Sequence, residues 1–107
     1  MDEHQFQLVV QFAADTDEEK TDLINLTDEL EELFSELPSV LIDGWDYGMG
    51  DFNIFIDTNH PTQLAPGMKK IIDIRRPGKQ FSIGYRAFSE DHYVMVLPPD
   101  SPPLRNL

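Results

Sequence analysis

Apolar residues in this chain recur at two different spacings, and the order in which those spacings alternate restricts the fold more than any other feature. In "QFQLVVQF", residues 5–12, Phe6, Leu8, Val10 and Phe12 occupy alternate positions with Val9 on the other side, the pattern of a half-buried strand. Further on the spacing changes to threes and fours: Leu23, Leu26, Leu30, Leu33 and Leu37, joined by Ile24 and Phe34. That stripe predicts an amphipathic helix of about five turns. Thr16-x-x-Glu19 marks its start, a hydroxyl and a carboxylate placed to satisfy free N–H groups of the first turn. Pro38 closes it, because the residue before a proline is pushed out of the α region.

The period returns to two for residues 39–47, where Val40-Leu41-Ile42 leads to Trp45 and Tyr47. It stays at two for residues 51–57, with Phe52, Ile54 and Ile56 on one side and Asn53, Phe55 and Asp57 on the other. Gly48-Met49-Gly50 reads as the hairpin between these strands, and Gly44 as a bulge or a close backbone approach. A second helix follows, roughly Thr62 to Arg75, with Leu64, Met68, Ile71 and Ile72 on one face. Pro66 either opens that helix or kinks its first turn. After a Pro77-Gly78 turn, Phe81, Ile83, Tyr85 and Ala87 alternate, and "HYVMVL" supplies a last strand. The order β-α-β-β-α-β plus a C-terminal strand predicts an α+β ferredoxin-like plait, an antiparallel sheet with two helices on one face. The domain is expected to span residues 1–97. Residues 98–107, "PPDSPPLRNL", read as an extended polyproline tail, and Pro99-x-x-Pro102 has the shape of a ligand for an aromatic-lined groove.

Charge narrows the function. Twenty acids against eight bases give the 107-residue chain a net charge of −12. Nucleic acid and anionic membranes are disfavoured as partners, since phosphate binding needs clustered Lys and Arg, and no apolar run approaches the ~20 residues of a membrane span. Beyond keeping the protein in solution, such a charge favours a basic protein partner. There is no cysteine, which excludes disulfides, thiolate catalysis and Cys-ligated metals. Met1-Asp2-Glu3-His4 is acidic and runs into a strand pattern, without the basic and apolar segments of a secretory signal; the cytosol is the expected location.

The acids are not spread evenly. Between Asp15 and Glu36 there are ten of them and one base, Lys20, whereas Lys69, Lys70, Arg75, Arg76 and Lys79 gather later. A strongly negative side and a mildly positive one are expected. Glu18, Glu19, Asp22, Glu29, Glu32 and Glu36 are the candidate partner-binding acids, with Trp45, Asp46 and Tyr47 of the glycine-rich hairpin as anchors of the type that dominates interfaces.

Catalytic chemistry finds little support. His4, His60 and His92 lack zinc-ligand spacing, and Asp43, Asp46 and Asp51 lack that of a calcium loop. Gly48-x-Gly50 leads into a strand where a dinucleotide fingerprint needs a helix, and no serine sits in G-x-S-x-G. No catalytic residue, metal or cofactor is assigned. The alternative is a small-ligand or enzymatic site in the hairpin cleft, using Asn53, Asp57, His60 and Tyr85, on a homodimer.

At Gly44-x-Asp46-x-Gly48-x-Gly50-x-x-Asn53-x-Phe55-Ile56-x-Thr58, with Tyr85-Arg86 and Tyr93-Val94-x-Val96-Leu97-Pro98 downstream, the chain resembles a group of small, mostly uncharacterised bacterial ferredoxin-like proteins. The resemblance covers the domain from about residue 40 onward. It implies the same fold and, since some small acidic single-domain proteins of this general sort are immunity partners of bacterial toxins, an inhibitor of a basic protein. It carries no catalytic residues and does not account for the acidic helix or the tail.

Overall fold

The computed structural model describes residues 5–100, 102–105 and 107. The chain runs β1 (Phe6–Ala13), α1 (Asp17–Leu33), β2 (Val40–Gly48), β3 (Asp51–Thr58), α2 (Pro61–Arg75), β4 (Phe81–Ala87) and β5 (Val94–Leu97). His4 and Ser101 lie outside the described residues.

The five strands form one sheet in the order β2-β3-β1-β4-β5, and every neighbouring pair is antiparallel. Alternation dictates which side each residue takes. Leu8, Val10 and Phe12 of β1, Phe52, Ile54 and Ile56 of β3 and Ile83 of β4 share one core cluster with Leu23, Leu26 and Leu30 of α1 and Ala65, Met68 and Ile72 of α2. Both helices therefore cover the same face, and the fold is α+β with an antiparallel sheet. Each fully buried aliphatic side chain there contributes about 1.5–3 kcal/mol relative to exposure.

Two elements depart from the sequence reading. The leucine stripe continues past Leu33, but α1 does not: Phe34 is its C-cap, and Leu33 and Leu37 are exposed. Ser35 donates both its amide and its hydroxyl to the Glu32 carbonyl, a local alternative to the helical ladder, and the chain turns there toward β2. At α2 the first helical residue is Pro61, and Pro66 lies inside the helix, where it forgoes the hydrogen bond to the carbonyl four residues back. The N-cap position is His60, without a side-chain cap. Asn59 instead accepts the Gln5 N–H at 2.8 Å, and Thr58 Oγ1 accepts the His60 N–H at 3.1 Å.

The bulge expected at Gly44 is present. The β2–β3 register shifts between Ile42 and Gly44, and Gly44 has φ +148°, a conformation L side chains rarely adopt. One extra residue inverts the facing of everything beyond it. Trp45 and Tyr47, opposite Ile54 and Phe52, thus join Val40 and Ile42 on the helix side. The following hairpin turns through Met49 (φ 53°) and Gly50 (φ 83°), the pair of positive φ angles that a type I′ turn requires.

Candidate functional site

At 100° per residue along α1, Asp17, Asp28, Glu31 and Glu32 fall on the side away from Leu23, Leu26 and Leu30. All are exposed, as are Glu18 and Glu36. Among the described residues none of these six carboxylates has an ion-pair partner. Asp17, Asp28 and Glu31 belong to this strip although they were not among the predicted acids; for Asp28 and Glu31, the three- and four-residue steps from Asp28 to Glu31 and Glu32 were the signal that would have found them.

The remaining predicted acids have work inside the fold. Glu19 completes the helix start: Thr16 Oγ1 accepts its N–H at 3.1 Å, and its Oε1 accepts the Asp15 N–H at 3.0 Å. That backbone hydrogen bond is the main cause holding its carboxyl below the ordinary glutamate range. Asp22 and Glu29 sit on the flank facing α2. Arg76 Nε is 3.0 Å from Asp22 Oδ2, Arg76 Nη2 is 2.8 Å from Glu29 Oε2, and Arg75 Nη1 is 3.1 Å from Glu29 Oε1. The Arg76 hydrogen bond lowers the Glu29 pKa and reciprocally raises that of Arg76. With Lys79 3.7 Å from Glu19, three of the later bases lie against α1. The expected separation into a negative and a positive side is reduced accordingly.

The hairpin aromatics flank the start of this helix. Trp45, 39% exposed, stacks on Phe52 with ring centroids 5.1 Å apart. Tyr47 donates its hydroxyl to the Ala14 carbonyl at 2.8 Å. The Lys20 ammonium lies 5.9 Å from the Trp45 ring centre and 5.1 Å from that of Tyr47, so the one base of the acidic segment caps the aromatic pair.

The residues of the alternative site are divided between the two sides of the sheet. Tyr85 packs against the core on the helix side, edge-on to Phe6 at 6.0 Å. Asn53 and Asp57 point from β3 to the opposite side, and His60 is exposed at the start of α2.

That opposite side carries an arrangement the sequence reading did not foresee. A row of buried polar side chains crosses it. Asn53 donates to Asp46 Oδ1 at 2.9 Å and accepts from Gln11 Nε2 at 2.8 Å. The C-terminal segment lies on this row: Gln11 Oε1 accepts the Arg105 N–H at 3.1 Å while Gln11 Nε2 donates to the Arg105 carbonyl at 2.6 Å. Arg105 Nη2 reaches Asp51 Oδ1 at 2.7 Å. Nearby, Tyr93 donates to Gln7 at 2.8 Å, and the Arg86 guanidinium lies over Tyr93. A cavity of about 740 Å³ opens beside the segment, between it, the first residues of β4 and Lys69 and Asp73 of α2.

No family model matches the chain, and no curated protein and no solved structure is significantly similar to it. No helix among the described residues is long and apolar enough to cross a membrane.

Proposed function

We propose that the chain is a non-catalytic, acidic protein-binding module of the cytosol, an immunity-type inhibitor that neutralises a basic cognate protein such as a toxin. The observation that carries this reading is the strip Asp17, Glu18, Asp28, Glu31, Glu32 and Glu36, exposed and without intramolecular ion pairs among the described residues. Like charges at three- and four-residue spacing cost a helix a few tenths of a kcal/mol per pair. A basic partner would remove that cost and be steered in by the same field. Trp45, on the flank of the strip, is the exposed aromatic anchor. The order β2-β3-β1-β4 is what two interleaved β-α-β units produce, and it supports a ferredoxin-like plait with β5 added at one edge.

The test begins with capture from the source cell's lysate at low salt and release at high salt, then purification of the basic protein recovered. Asp28→Lys/Glu31→Lys/Glu32→Lys is expected to weaken its affinity at least tenfold, mostly through a slower association rate. Unchanged affinity overturns the reading. Glu29 is left intact, because reversing it would break the contact with Arg76 and confuse stability with binding.

A second reading, a small-ligand protein, draws on the 740 Å³ cavity, whose lining includes Gln11, Phe81, Leu97 and Leu104 and none of Asn53, Asp57, His60 and Tyr85. A native preparation carrying a bound small molecule, displaced by Phe81→Trp, would favour it over the protein-binding module.

A further inference from the structure

We propose that the sheet face opposite the helices is a binding site for an extended peptide segment of another protein, one carrying an apolar residue followed by arginine, and that residues 102–105 of this chain occupy it in cis. The site lies across the sheet from α1 and uses none of its acids, so this proposal and the acidic-strip reading stand or fall separately.

The first argument is the geometry at Gln11. Its carboxamide accepts the N–H and donates to the C=O of one residue, Arg105. Antiparallel strands exchange the same pair of hydrogen bonds, so the contact reads an extended backbone and not a particular side chain. The carboxamide is held for this purpose: Asn53 accepts its second amide proton, and Asp46 in turn accepts from Asn53. Gln11 and Asn53 are buried, and buried polar groups left without partners are costly. A face required only to seat a stabilising strap would be served better by apolar side chains.

The second argument is an asymmetry in the ion pair. The Asp51 side chain is 2% exposed, whereas that of its partner Arg105 is 67% exposed. The carboxylate is built into the sheet, and the guanidinium reaches it from outside. On β4, Gly84 leaves room for Met95 and Leu104 together: a Cβ there would come within 3.0 Å of Met95 Sδ and 3.2 Å of Leu104 Cδ1. Backbone clamp, carboxylate and the seat that Gly84 leaves beside Met95 thus select an extended segment, an arginine and the apolar residue before it. The segment also borders open space: Gln11, Leu104 and Arg105 line the 740 Å³ cavity, which extends to Lys69 and Asp73 of α2. A chain of net charge −12 adds a general preference for a basic segment.

A tethered occupant competes at a local concentration in the millimolar range, so the tail should mask the site against weak ligands. The probe is a fluorescein-labelled Pro-Pro-Leu-Arg-Asn-Leu peptide, matching residues 102–107, titrated into full-length chains and followed by anisotropy. Leu104→Ser/Arg105→Ser, which keeps the tail's length but removes its anchors, is expected to bind the peptide at least tenfold more tightly than wild type. Adding Gln11→Ala should abolish that gain, and a peptide with Glu for Arg should not bind. Equal affinity of wild type and tail variant, or equal binding of the Arg and Glu peptides, overturns the proposal. Dimerisation of the wild type by exchange of tails, with peptide unable to compete, also overturns it and gives the site to a second copy. One readout needs no variant: millimolar unlabelled peptide should shift the Gln11 side-chain and Arg105 backbone amide resonances of the ¹⁵N-labelled wild type, and unshifted resonances count against it.

Discussion

Arg76 Nη2 lies 2.8 Å from Glu29 Oε2, and this contact ties the end of α2 to the middle of the acidic helix. The same guanidinium reaches Asp22 through Nε. One arginine thereby offsets the repulsion between two acids that lie on the flank of α1, and leaves the outward strip uncompensated.

Arg76→Ala is expected to destabilise the fold by about 1–2 kcal/mol: the range for hydrogen bonds to charged groups, reduced because both acids stay partly in water. The melting temperature should fall by roughly 5–10 °C for a domain of this size. Arg76→Lys should recover at most half of the loss, since an ammonium cannot serve both carboxylates in the same fork. Thermal unfolding of the three chains checks this.

The acid limb of stability follows from the same pair. Glu29 has its folded pKa depressed below the ordinary 4.5, first by the Arg76 hydrogen bond. The contribution is therefore complete above 4.5 and is lost as pH falls through the depressed value. The difference between wild type and Arg76→Ala reports the contacts of Arg76 with Glu29 and Asp22 together: it should be constant near neutrality and shrink on acidification below 4.5. A gap that persists at low pH would refute this assignment.

Gly44→Ala tests the bulge. A side chain at φ +148° meets no steric neighbour, so the cost is conformational, about 1–3 kcal/mol. If the bulge is lost, Trp45 and Tyr47 turn away from Phe52 and Lys20. Trp45 is the single tryptophan, and its emission is expected to shift to the red in the native state as well as on unfolding.

Met49→Asn should do the reverse. Met49 is 87% exposed and holds φ 53°, which disfavours an ordinary side chain; asparagine tolerates it. A gain of about 0.5–1 kcal/mol is expected, measured as a higher denaturation midpoint with an unchanged slope.

Much of the architecture was legible because burial on one side writes itself into spacing. Phe6 to Phe12 and Phe52 to Ile56 alternate for that reason, and Leu23, Leu26 and Leu30 repeat at helical steps. Spacing failed where the structure stops obeying it. Leu33 and Leu37 continue the stripe in sequence, yet a serine two residues beyond the helix end diverts the backbone. The side taken by Trp45 and Tyr47 depended on one inserted residue, signalled by Gly44 but not its consequence. Contacts between distant segments left no local trace: nothing near Glu29 announces Arg76, and nothing near Gln11 announces Arg105. Apart from Glu19 in its capping box, the acids of α1 carry no mark of a partner in sequence; the approach of Arg75, Arg76 and Lys79 divides them into paired and outward-facing sets.

The position of β1 has a consequence for synthesis. It is made before the other four strands of the sheet and stands at its centre, between β3 and β4. One of its edges waits for residues 51–58 of β3, and the other until residues 81–87 of β4 have been added. Pairings this distant slow folding and expose sticky strands meanwhile. The acids that follow β1 at once in the growing chain act as gatekeepers against association of those strands, so the charge of α1 protects the polypeptide before there is a folded surface for any partner to meet.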